Sequence, residues 1–162
     1  MQKFILFLHH PIHSIAATLT AFLIFAGLGS HSSLRLSQNN SRKKITTIAV
    51  LAIALISLSY LGLLESLFAL LSSAPDSLKI LLTIGFISPL AFFMGMPFPL
   101  AIATLSQYQE SLVPWAFGIN GCASVVSAVL ATLLAIHFGF STVIILAVML
   151  YISILFVNFI PS

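Results

Sequence analysis

Acidic side chains are nearly missing from this sequence: Glu65, Asp76 and Glu110 are the only carboxylate residues among 162. Charged residues of both signs make up only 6% of the chain, where a soluble domain averages about a quarter. A water-facing surface could not be covered with so few, so a soluble globular domain is excluded. One cysteine, Cys122, can form no internal disulfide and says nothing about redox compartment. No spacing supports a Ser-His-Asp or metal-dependent hydrolase. The apolar run before His9 and His10 is Phe4–Leu8, too short for the core of a cleaved signal peptide.

What is present is apolar length. Hydrophobic residues make up 60% of the chain and the mean hydropathy is +1.18. Given roughly 20 apolar residues per crossing, the expected fold is an all-α integral membrane domain over 1–162. It has about five transmembrane helices, the third broken by prolines. The helices are expected over 12–28, 45–71, 78–106, 114–138 and 141–160. Pro11 and Pro114 suit first helical turns, where a missing N–H costs nothing, and Gly139 turns the chain between the last two.

The third helix carries the densest local signal. Pro89, Pro97 and Pro99 each lack an N–H, and an interior proline clashes with the carbonyl four residues back. Ser88, Met96 and Phe98 precede prolines, which disfavours the α region for them. The sequence predicts a kink at Pro89, an unwound break over Gly95–Pro99 and a short half-helix, Leu100–Ser106. Unpaired backbone at membrane depth is tolerated only against protein or a wet cavity, so the break is expected inside the bundle.

Four of the six basic residues, Arg35, Arg42, Lys43 and Lys44, fall within 31–44, expected to be a polar loop. They set topology and are not a nucleic-acid signal: the positive-inside rule places that loop in the cytoplasm. The N-terminus is then outside and the C-terminus inside an inner membrane. An odd number of crossings starting outside suggests either part of a longer multi-pass chain or insertion on the first helix alone.

Ala116, Asn120, Ser124, Ala128 and Thr132 recur every four residues and form one small-residue ridge on the fourth helix. Small residues let membrane helices approach closely. The fifth helix, bulky and apolar nearly all round, is expected to be peripheral and lipid-facing. The candidate structural or ligand groove comprises Gly95, Pro97, Pro99, Trp115, Asn120, Gly121, Ser124 and Glu65. Asn120 is assigned to the carbonyls freed at the break, with Gly121 permitting close approach. Glu65 stands near the outer boundary, with Lys79 as its partner, and a capped interfacial carboxylate competes with a buried site. His9, His10 and His13 lack a further ligand nearby, so no metal site is assigned. His137 suits the C-terminal end of its helix dipole.

Phe22–Ser30, FLIFAGLGS, with its basic sequel, and Phe93–Pro99, FMGMPFP, with Leu112–Ser124, LVPWAFGINGCAS, resemble one family. It is the membrane region of large multi-pass bacterial proteins that carry a spermidine-synthase-like domain, relatives of polyamine aminopropyltransferases and S-adenosylmethionine-dependent methyltransferases. The resemblance implies upstream membrane helices or such a domain as partner, with the bilayer and a second copy of the chain as further candidates. The glycine-rich cofactor loop of that domain follows a strand, and nothing here supplies one. Gly27-Leu28-Gly29-Ser30 ends a membrane helix. No catalytic or cofactor residue is therefore carried over, and no cofactor is expected. The expected function is a non-catalytic membrane module associated with an enzyme domain absent from this chain. The alternative is a half-transporter or channel-like module for a small amphipathic or cationic solute.

Overall fold

The computed structural model of the protein describes residues 11–39, 41–70 and 76–159. His9, His10 and the expected turn at 72–75 lie outside the described residues, as do the side chains of His13, Glu65 and Lys79. Among the described residues there is no strand. The helices are α1 Pro11–Asn39, α2 Arg42–Leu70, α3 Asp76–Met94, α4 Pro97–Tyr108, α5 Val113–Phe138 and α6 Phe140–Phe159, with one 3-10 turn at Glu110–Leu112. Arg42–Tyr60, Leu81–Tyr108 and Glu110–Phe138 are long and apolar enough to cross a membrane; Phe140–Leu155 is a shorter apolar helix.

The expected polar loop at 31–44 is largely helix. α1 continues to Asn39 over 29 residues, because 30–39 holds no proline or glycine to stop it. At about 1.5 Å per residue it is roughly 43 Å long. Its last turns are built inside out: Ser33 is fully buried, with its Oγ donating to the Ser30 carbonyl at 2.7 Å, while Leu34 and Leu36 face outward.

The proline break is shorter than the sequence predicts. α3 continues as helix through Pro89. Nearby, the Ser88 hydroxyl donates to the Ile84 carbonyl and the Tyr60 hydroxyl to that of Phe86. Only Gly95 and Met96 leave the helical pattern, and even Met96 keeps α dihedrals, φ −83° and ψ −42°. The reason is register. Pro97 and Pro99 occupy the first and third positions of α4, where backbone N–H groups have no intrahelical partner in any case. The Gly95 N–H still reaches the Ala91 carbonyl at 3.0 Å, Met96 reaches Phe93 at 3.2 Å, and Leu100 closes the next turn onto Met96 at 3.4 Å. α3 and α4 thus form one bent helical unit, within which Leu81–Tyr108 is long and apolar enough to cross a membrane.

This bend sits at the centre of the molecule. Met96 and Leu100 are buried against Ile45 and Ala49 of α2, with Phe92 and Phe93 packed around them. On the other side α1 and α3 meet backbone to backbone. A methyl group on Gly29 would overlap the Phe92 carbonyl, and one on Gly95 would overlap the carbonyl of Ala26. Gly95 has no positive φ, so it serves by lacking a side chain rather than by an unusual conformation.

The outer helices reverse the expected order. α6 packs along α2 and buries Val148 to 6% exposure, so it is not the peripheral helix. α5 buries no residue at all, and a methyl group added to Gly118 or Gly121 would meet nothing within 4 Å. Small residues permit close approach of helices but do not compel it. Gly139, φ 84°, ends α5 with its N–H on the Ala135 carbonyl at 3.1 Å.

Candidate functional site

Two grooves share Pro97, Ala101 and Ile154 in their linings. The inner groove, about 710 Å³, lies between the bend, α5 and α6. Its polar lining comes from Asn120, Ser124, Ser127 and Tyr151, set among Met94, Phe98 and Leu150. α5 reaches it because Phe117 meets Phe98 of α4 edge to face, with ring centres 5.3 Å apart. Such pairs are worth about 0.5–1.5 kcal/mol beyond their area, a thin attachment for a 26-residue helix.

The outer groove, about 620 Å³, opens at the end where α2 begins and α4 finishes. Arg42 organises it. Its Nε donates to Ser37 Oγ at 3.1 Å, and its Nη1 to the Ala103 carbonyl at 2.7 Å and to Gln107 Oε1 at 2.9 Å. One guanidinium thus ties the end of α1 to the second half of α4. Hydrogen bonds to a charged group contribute about 1.5–3 kcal/mol each. Lys43, Ser41, Thr46, Thr104 and Tyr108 share the rim, while Leu100, Ala101, Leu105 and Ile154 line the apolar part.

The expected site residues separate in the structure. Pro97, Asn120 and Ser124 come together on the inner groove. Gly95 faces away from it, toward Ala26 of α1, and Pro99 lines neither groove. Trp115 is 72% exposed and stands beside Pro114 on a shallow outer face of α5. Gly121 faces open space, so it supports no close approach. Asn120 is exposed and makes no hydrogen bond to the bend among the described residues. The Phe93 carbonyl freed by Pro97 already accepts the Met96 N–H, which removes that need for the Asn120 amide. Glu65 belongs to α2, but its side chain lies outside the described residues.

Arg42 and Gln107 were not legible as partners. They lie 65 residues apart, and Arg42 stands in a basic run whose spacing carries only topology. The inner groove's Tyr151 sits on α6, the helix whose composition points to lipid. Comparison with known protein families, with curated proteins and with solved structures gave no match.

Proposed function

We propose that the chain is an integral membrane module that performs no chemistry of its own and serves a spermidine-synthase-like enzyme domain carried elsewhere. The observation that supports this best is α5: a long apolar helix that buries nothing in its own chain and leaves Gly118 and Gly121, beside its small-residue ridge, facing open space. Such a ridge is what membrane helices use to approach one another. The inverted distribution of side chains supports the bilayer setting. Thr18, Ser33, Thr46 and Thr83 are buried while Leu23, Leu55, Leu81 and Leu150 are each at least 66% exposed. Five crossings, with the basic end of the bundle in the cytoplasm and the N-terminus outside, complete the reading. The resemblance of FLIFAGLGS, FMGMPFP and LVPWAFGINGCAS supplies the class of partner.

Cys122, the single cysteine, is exposed on α5 and provides the test. A thiol-directed photo-crosslinker at Cys122 in native membranes should capture a protein that contains the aminopropyltransferase-like domain. Crosslinks to lipid alone would remove the partner. Purified chain should show no saturable binding of labelled S-adenosylmethionine, and saturable binding would end the non-catalytic reading. The inner groove favours a second reading, a half-transporter, because Asn120, Ser124, Ser127 and Tyr151 line about 710 Å³ between helices. Uptake of labelled putrescine or spermidine into liposomes holding the chain would select it.

A further inference from the structure

We infer that the outer groove is a binding site for one anionic phospholipid, its phosphate held at Arg42 and Lys43 and an acyl chain laid along Leu100, Ala101 and Ile154. This rests on the membrane reading above but not on any enzyme partner. The groove has the two-part chemistry of a phospholipid: cations and hydroxyls on the rim, apolar side chains leading inward. No carboxylate lines it. Arg42 is held in place by Ser37, Ala103 and Gln107 through Nε and Nη1, which leaves the Nη2 donors without an acceptor among the described residues. Lys43 is exposed and has no acceptor among them either.

The local field has the sign that an anion needs. Arg42, Lys43 and Lys44 open α2, at the positive end of its dipole, where cations are disfavoured. Helix and side chains therefore add their positive potential instead of cancelling it, and an anion relieves both. Basic pockets between membrane helices on the cytoplasmic side take anionic headgroups by this chemistry. The apolar part of the groove suits an acyl chain: Pro97, Leu100, Ala101, Leu105 and Ile154 line it, and three of these, Pro97, Ala101 and Ile154, also line the inner groove.

The test is lipid retention by the full chain in nanodiscs of phosphatidylcholine doped with phosphatidylglycerol, read by native mass spectrometry. Phosphatidylglycerol should be retained selectively. Lys43→Gln should lower that retention about fivefold, the equivalent of one cation near a headgroup. Lys43 makes no contact that folding needs, so this variant is informative even if Arg42→Gln fails to fold. Ala101→Phe should lower retention without any change of charge, because it fills the apolar wall on which the acyl chain lies. Arg35→Gln, on α1 and outside the groove, should leave retention unchanged. Equal losses for Lys43→Gln and Arg35→Gln would reduce the site to general attraction by a basic surface and overturn it. Displacement by millimolar inorganic phosphate, with Ala101→Phe without effect, would make it a free-anion site and overturn it too. A chain that inserts into the disc with no lipid preference overturns the site alone, whereas one that alkaline carbonate strips from membranes overturns the membrane reading itself.

Discussion

Gly29 and Gly121 are both glycines in long apolar helices, yet they stand in opposite surroundings. At Gly29 the Phe92 backbone occupies the space a side chain would need, and Gly95 meets Ala26 in the same way; at Gly121 there is nothing within 4 Å. The α1–α3 crossing and the α5 ridge carry the same small-residue signature. Only the first is used within this chain. A small residue lowers the steric barrier to approach and contributes little attraction of its own, so a second surface decides whether the approach happens. At the crossing that surface is the bent α3–α4 helix, held from the far side by α2. At α5 the main intramolecular neighbours are α6 and the Phe98 edge, and the space at Gly118 and Gly121 stays open.

The sharpest way to break this comparison is to add one methyl group in each region. Gly29→Ala and Gly95→Ala force backbone against carbonyl, and each should cost about 3 kcal/mol, the upper part of the range for overpacking. The cost is read as a lowered unfolding midpoint in detergent. Stability unchanged by both would mean that α1 and α3 are not in backbone contact. Gly121→Ala should have the opposite sign. With open space around it, alanine gains about 0.5–1 kcal/mol over glycine in a helix interior. A loss at Gly121 would show that α5 is packed in the isolated chain after all.

Replacing Pro97 and Pro99 together by alanine probes the bend. Both prolines sit in the first turn of α4 and Pro97 is buried, so no strained carbonyl is relieved, while unfolded-state entropy rises and buried ring contacts are lost. A loss of about 1–2 kcal/mol is expected for the two together, and a clear gain would mean the bend is held under strain. The smallest effect is expected at Asn120→Leu, less than about 0.5 kcal/mol for an exposed position. In a double-mutant cycle with the proline pair the coupling should be near zero. Coupling above about 1 kcal/mol, well beyond the additivity limit, would restore Asn120 as the partner of the bend.

Much of the secondary structure is written locally. Pro97 and Pro114 start helices because their missing N–H is harmless there, and Gly139 ends one with a positive φ. These are decisions of one turn, so neighbouring residues suffice to make them. The helical character of the chain follows equally from composition, since apolar backbone without water must bond within its own segment. The extent of the break was less legible. Three prolines suggest unwinding, but whether a proline disrupts depends on its register within the helix, and only the bonds at Gly95, Met96 and Leu100 settle that.

Of the candidate groove, Pro97, Asn120 and Ser124 were legible, as a proline break and a polar member of a small-residue ridge. Arg42, Gln107 and Tyr151 were not, because their significance comes from elements distant in sequence. The sequence by itself determined an apolar, helical chain with basic residues gathered in one short stretch, since these follow from composition and from bonds within a turn. The tertiary structure decided which glycines touch backbone, that bulky α6 lies against α2 while α5 stays open, and that Arg42 clasps α4. Helix–helix choice depends on the shape of both surfaces at once, and one chain segment carries only half of that information.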